Sequence, residues 1–198
     1  MKRLLIVMIL ALAAIAPVFA INGQIGVSAG YEWFANDTSF DSGTNSLALN
    51  VAGATYFGSE GGLGIEYGLG MGIPMSSWTG DFSVDLDDTP KQFIFNAGLG
   101  YRFHFGDMLG LKLGIGANGY RTSESNDYVS MSTLTIGIYG RLALDVTIAG
   151  CVRIDLGAFA GGPVMGKVDG SSMGVSYSQD VEVEGIFVTP YAGISYAY

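Results

Sequence analysis

Charge is scarce in this sequence, and positive charge is scarcest. Only 14% of the 198 residues are charged, against about 25% in an ordinary soluble domain. Nine Lys and Arg stand against 18 Asp and Glu, a formal net charge of −9. Nucleic-acid binding needs a basic patch, so nucleic acid is excluded as a partner. Cysteine is nearly absent. The lone Cys151 cannot close an internal disulfide, so no disulfide framework holds the fold. His104 is the single histidine, which leaves little for histidine-based catalysis. Long apolar runs are missing after residue 20, although hydrophobic residues make up 49% and mean hydropathy is +0.38. A bundle of membrane helices needs runs of about 20 apolar residues and is excluded. The same apolar content excludes a disordered chain. What the sequence has in quantity is glycine, 31 residues, interleaved with apolar ones.

The one apolar run opens the chain. Met1-Lys2-Arg3 is a basic start, Leu4 to Ala16 is an apolar core, and Val18 and Ala20 hold the small-residue positions before a cut. Residues 1–20 are therefore expected to be a cleaved signal peptide, and residues 21–198 one exported domain. No cysteine near the cut could take a lipid anchor. Loss of Lys2 and Arg3 leaves 7 basic residues against 18 acidic, a mature charge of −11.

The rest reads as eight segments of strict alternation: Gln24–Phe34, Ser46–Phe57, Gly62–Met75, Gln92–Phe105, Leu109–Tyr120, Thr133–Val146, Cys151–Val164 and Gly185–Tyr198. The third is the cleanest. Leu63, Ile65, Tyr67, Leu69, Met71, Ile73 and Met75 alternate with Gly64, Glu66, Gly68, Gly70, Gly72 and Pro74. Period two puts one parity on each face of a strand. In water such strands would build a sandwich with the apolar face inside. In a bilayer they would build a barrel with the apolar face outside, closed so that every backbone group is paired.

Loop lengths and aromatic placement favour the barrel. Connectors alternate: Ala35–Asn45, Ser76–Lys91, Arg121–Ser132 and Met165–Glu184 are long, while Gly58–Gly61, Gly106–Met108 and Thr147–Gly150 are short. Short periplasmic turns with long external loops are the outer-membrane pattern. Tyr31, Trp33, Phe93 and Phe95 fall on the outward parity at the long-loop ends. Phe57, Tyr101, Phe103, Phe105, Tyr196 and Tyr198 fall on it at the short-turn ends. Amphipathic rings favour the two membrane interfaces, so these residues are expected to form two girdles.

The chain finishes on Ile194, Tyr196 and Tyr198, alternating into an aromatic last residue. This end resembles the carboxyl-terminal strand of outer-membrane barrels. With eight strands the sequence resembles the small OmpA/OmpX/OmpW-type barrel superfamily over nearly all of residues 21–198. The resemblance implies an all-β, eight-stranded antiparallel transmembrane barrel in the outer membrane. It implies outer-membrane lipid as one partner, and the barrel-insertion machinery, reached through the last strand, as another. Nothing follows Tyr198, so no peptidoglycan-binding domain is expected.

Three motif matches fail on context. Gly114-Ile-Gly-Ala-Asn-Gly119 fits the dinucleotide fingerprint but lies inside a strand, with no helix to open. Gly170-Ser-Ser-Met-Gly174 fits the nucleophile elbow. Its Ser172, however, lies in a long loop, and His104 lies at a short-turn end, across an apolar band about 25 Å tall. Asn36-Asp-Thr38 reads as a turn. No catalytic, cofactor or metal residue is assigned, and the chain is not expected to be an enzyme. Asp85–Asp88 has hard-cation chemistry but reads as solvated surface.

The inward parity carries most of the basic residues. Glu66, Arg102, Lys112, Arg141 and Asp155 lie three to five residues from a short turn. At about 3.3 Å per residue this is one layer, ~10–17 Å from the periplasmic rim. Asp145 and Arg153 fall just below it and Glu32 on the external side. Eight strands leave room only for side chains. The expected result is a salt-bridge layer closing the lumen, with Glu66 pairing Arg102 or Lys112, and Asp155 pairing Arg141. Inward glycines from neighbouring strands face inward Tyr56, Tyr120, Tyr139, Phe159, Phe187 and Tyr191, which either pack or leave a narrow cleft. The functional expectation is a structural or surface-interaction role through acidic external loops, with an extracellular ligand or host surface as partner. The alternative is a narrow porin-like or OmpW-like channel for small solutes or apolar molecules.

Overall fold

Alternating residues with few prolines favour paired strands, and pairing is what the structure shows throughout. The computed structural model describes residues 22–36, 42–58, 61–80, 82–85, 92–125, 129–172 and 175–198. The expected signal peptide, residues 1–20, lies outside them.

Ten strands follow in order: β1 (Asn22–Ala35), β2 (Ser42–Tyr56), β3 (Gly62–Thr79), β4 (Phe82–Asp85), β5 (Gln92–Phe105), β6 (Leu109–Ser125), β7 (Val129–Thr147), β8 (Val152–Ser172), β9 (Val175–Val181) and β10 (Ile186–Ala197). Eight of them, all but β4 and β9, form an antiparallel ring. Its order is β10-β1-β2-β3-β5-β6-β7-β8, closed by pairing of β10 with β8. Tyr198 extends the closure, since its N–H and C=O bond both backbone groups of Gly23, at 2.9 and 3.0 Å.

The ring is staggered. The ladder row leaving Phe105 passes Leu109, Val146, Ile154, Ile194, Val27, Val51 and Leu69, and meets β5 again ten residues away at Phe95. Such a shear in an eight-stranded barrel tilts the strands by about 40°.

Burial is inverted relative to a water-soluble protein. Ile115 is 70% exposed and Ile138 60%, while Arg102 is 1% exposed and Lys112 and Asp145 0%. A contiguous apolar outer surface around a polar core fits only a lipid surround. The alternating parities fall as the sequence indicates. Leu63, Ile65, Leu69, Met71, Ile73 and Met75 of β3 face out, and Gly64, Glu66, Gly68, Gly72 and Pro74 are buried.

The strands at the long-loop end exceed the sequence boundaries. Much of the four long connectors is paired hairpin: β6, β7 and β8 run on to Ser125, from Val129 and to Ser172, and β4 and β9 pair back onto β3 and β8. Sequence alternation marks the membrane band, because only there do the two faces meet different solvents. Beyond it both faces are wet and the alternation fades, while backbone pairing continues. Bulges sit where the band ends. Met75 is the extra residue between the pairs Ser46–Pro74 and Asn45–Ser76, and Val164 is the extra residue between Gly137–Pro163 and Ile136–Met165. Each shifts the parity beyond it. At the short-turn end Gly106 and Gly150 both have φ +68° with open space around them. Glycine there supplies the left-handed backbone of a tight turn.

Candidate functional site

The lumen is the only interior a barrel of this size has, and small residues decide who meets whom in it. Arg102 and Lys112 are directly opposite in the β5–β6 ladder, and Asp145 and Asp155 are opposite in the β7–β8 ladder. Like charges in register repel. Each cation therefore reaches across a small residue to an acid two strands on. Arg102 lies over Gly110 and donates Nε–H to Asp145 Oδ1 at 3.1 Å and Nη2–H to Oδ2 at 2.6 Å. Lys112 reaches past Ala143, its partner in register, and donates to Asp155 and to Gln24 Oε1 at 3.0 Å. Asp145 Oδ1 lies 3.8 Å from Lys112 Nζ, and Oδ2 lies 3.8 Å from Arg153 Nε. Ser195 donates to Asp155 Oδ2 at 2.7 Å. Three cations thus converge on Asp145.

Glu66 and Arg141 form a second level. Glu66 stands on β3 and Arg141 on β7, three ladder steps apart, and their ends meet at 2.9 Å. The path between them crosses Gly100 and Gly114. A Cβ at Gly100 would lie 2.6 Å from Glu66 Cδ, and one at Gly114 2.8 Å from Glu66 Oε2. Tyr56 donates its hydroxyl to Glu66 Oε1 at 2.8 Å. Arg141 donates Nε–H to Tyr191 Oη at 2.7 Å, and its guanidinium lies 5.4 Å from the Phe159 and Tyr191 ring centroids. Cation–π contacts of this kind strengthen when desolvated.

These pairings correct the sequence expectation. Glu66 does not pair with Arg102 or Lys112, nor Asp155 with Arg141. The five charges do not form one layer but two levels, and Asp145, expected below them, is the hub of the level that holds Arg102 and Lys112. The cause is the shear. Counting residues from each turn treats strands as upright, whereas a tilted ladder row climbs around the barrel. The inward parity of Asp145 and its register opposite Gly110 are the signals that could have found it.

The glycines are tracks for charged side chains. A Cβ at Gly110 would lie 2.3 Å from Asp145 Oδ1 and 2.8 Å from Arg102 Nη2. Gly110→Val is expected to displace that pair and cost about 1–3 kcal/mol, the overpacking range. Gly140→Ala on the outer face meets only Ala160 O at 3.9 Å, and should stay within about 0.5 kcal/mol of the parent. Urea titration of the refolded variants checks both. Equal midpoints would mean that the lumen yields freely.

Toward the long-loop end, Glu32 accepts from the Tyr120 hydroxyl at 2.8 Å and from Thr189 at 3.4 Å. Inward aromatics pack there: Tyr139 on Phe159 at 5.3 Å, Phe159 on Tyr191 at 5.0 Å, Tyr120 on Phe187 at 6.0 Å. Among the described residues lie two small cavities, of about 40 and 30 Å³, both lined by Asn50, Asn96, Tyr139 and Phe159. Each has room for only a water or two.

His104 is at the short-turn end, its Nδ1 2.8 Å from Arg102 Nη1. Guanidinium has no acceptor, so Nδ1 accepts and the ring is the Nε2–H tautomer. Ser172 ends β8 at the opposite end of the barrel. Among the described residues no group of three or more His, Cys, Asp or Glu could hold a metal ion.

On the outer surface Tyr31, Phe93, Tyr101, Phe103, Phe105, Tyr196 and Tyr198 are exposed, and Trp33 and Phe95 are half-buried. Trp33 stacks on Trp78, with centroids 5.7 Å apart and planes at 11°. Trp78 was not expected there. The Met75 bulge brings its even parity to the outer face.

No family model matches the chain, and no curated protein matches its sequence. Solved structures do. Neisserial surface protein A superposes with a TM-score of 0.63 at 11% identity, covering 88% of this chain and 96% of that one. The outer membrane protein OprG of Pseudomonas aeruginosa gives 0.58 at 14%, covering 90% and 96%. Ail, the attachment invasion locus protein of Yersinia pestis, gives 0.52 at 10%, covering 89% and 98%. Identities this low speak for architecture alone. On closure, shear, inverted burial and these superpositions, the chain has the fold of the small eight-stranded outer-membrane β-barrels.

Proposed function

We propose that this chain is an outer-membrane barrel with a plugged lumen that acts through its extracellular hairpins. The observation that carries the reading is the buried layer of Arg102, Lys112 and Asp145, none more than 1% exposed. A solute crossing it would have to break a bidentate ion pair that has no water to replace it. The work then falls to what projects outside: β4 on the end of β3, and the ends of β6, β7 and β8 with β9, where Phe82 of β4 is 81% exposed and Val175 of β9 70%. Ail has been crystallised with the heparin analogue sucrose octasulfate, a polyanion. That ligand chemistry does not suit this chain. Its last long hairpin carries Asp169, Asp180, Glu182 and Glu184 against Lys167, so a cationic surface is the complementary partner. The carboxyl-terminal strand, ending on Tyr198, is the segment offered to the insertion machinery.

The narrow-channel reading rests on the two cavities, which share four lining residues and mark a path down to Glu66 and Arg141. Single-channel recording of the refolded protein separates the two. The plugged reading expects no conductance steps above the bare bilayer. Steady steps in the parent protein would make it a channel.

A further inference from the structure

Beyond the bulge at Val164, β6, β7, β8 and β9 continue outward as a four-stranded sheet. One ladder row crosses it through Ser123, Ser132, Asp169 and Ser178. Among the described residues β9 pairs with β8 alone, so one side of its backbone presents N–H and C=O groups with no strand beside them. Edges of this kind are usually blunted by brevity, lysine, proline or a bulge. β9 has none of these. It runs Val175-Ser-Tyr-Ser-Gln-Asp-Val181, seven residues in unbroken register with β8, and is exposed from Val175 to Asp180. The other outlying strand, β4, has only four residues.

β9 is held in place from its paired side. The Tyr177 ring covers Gly170, leaving no room for a Cβ there. Ser178 donates its hydroxyl to Asp169 Oδ1 at 2.6 Å, and Asp180 is opposite Lys167 in register. A strand already ordered loses little entropy when another is added to it. Its charge is one-sided, since Asp169, Asp180, Glu182 and Glu184 stand against Lys167. Asp180, Glu182 and Glu184 follow at two-residue spacing, the period at which strand side chains share a face.

We propose that the free edge of β9 binds an extended cationic peptide segment by strand addition, with Lys or Arg at every second residue on the face of Ser178 and Asp180. The inference rests on the reading that the hairpins are the working part of the molecule, and gives their cationic partner a shape. Backbone pairing supplies the affinity, and alternate side chains supply the specificity. A second copy of this chain suits the edge poorly. Copies side by side in one membrane are related by rotation about the membrane normal, so their β9 strands run the same way. That sets Asp180, Glu182 and Glu184 beside their own counterparts, and like charges side by side in a sheet destabilise it. A cationic segment meets the same acids with the opposite sign.

The test uses the refolded full barrel in phosphatidylcholine vesicles and a fluorescein-labelled peptide of alternating Lys and Thr, long enough to span β9, with binding read by anisotropy. The peptide should bind, and the triple variant Asp180→Asn/Glu182→Gln/Glu184→Gln should raise its dissociation constant about tenfold, the combined effect of three exposed charge pairs. The same peptide N-methylated at every backbone nitrogen keeps its charge but has no N–H to donate, and should bind at least about tenfold more weakly. Amide exchange of the bound barrel, followed by NMR, should slow at alternate residues of 175–181 and stay unchanged in β4. Equal binding of the two peptides would overturn strand addition and leave the hairpin as an acidic surface that attracts cations. Binding without the alternate slowing would overturn it as well. Slowing in β9 that appears without peptide as the protein-to-lipid ratio rises would give the edge to a second copy instead. If neither peptide binds, the inference and the cationic-partner reading beneath it fall together.

Discussion

Asp145→Ala should cost the folded barrel about 3–5 kcal/mol, the range for removing one partner of a buried ion pair. Its carboxylate takes a bidentate fork from Arg102 and lies 3.8 Å from both Lys112 and Arg153. Without it, Lys112 and Arg153 lose the carboxylate they share with Arg102, and Asp155 is already held by Lys112 and Ser195. Arg102 keeps His104 Nδ1 among its acceptors. Urea titration of refolding into vesicles reads the loss as a lower midpoint. The double variant Arg102→Met/Asp145→Leu tests the cause. Replacing both members of a buried pair by apolar side chains is often neutral or better, so it should recover most of the loss. A silent Asp145→Ala would mean that water reaches the layer, and the lumen would not be a dry plug.

The membrane band was legible in the sequence because it is where period two has a physical cause. Leu63 to Met75 alternate because lipid and lumen impose different solvents on successive residues, and the ladder preserves that parity. The girdle positions followed from the same parity up to Met75, and Trp78 escaped because one bulged residue inverts the count beyond it. Pairings in the lumen were not legible. Glu66 and Gly98 are opposite in register, yet the carboxylate ends three strands away at Arg141. That outcome depends on the ten-residue stagger of the ring and on two glycines that leave the path open. Neither is a property of a single strand. Glu32 was visible as an inward acid on the external side. Its lack of a cation among the described residues needed the whole ring, since a partner could have come from any of seven other strands.

Leu69→Arg should cost about 2–4 kcal/mol, the figure for a basic side chain on the lipid face near the midplane. Leu69 is 47% exposed and sits in the middle of the outward series of β3, between Leu63 and Met75. Its ladder neighbours Val51 and Phe95 also face out, so the guanidinium would meet hydrocarbon on every side. The cost is depth-dependent and falls to about 0–1 kcal/mol near the interfaces. Met75→Arg, at the bulge where the band ends, should therefore be nearly silent. Gly68→Val, one residue from Leu69, acts through the other face. Its Cβ would lie 2.9 Å from both Asn96 Nδ2 and Oδ1, so its effect should follow lumen packing and stay the same when bilayer thickness changes. Refolding titrations of the three variants in vesicles of two acyl lengths separate the terms. A thicker bilayer should penalise Leu69→Arg more and leave Gly68→Val where it was. If Leu69→Arg were silent in both, residue 69 would face the lumen, and the parity of β3 that places Glu66 inside would be wrong.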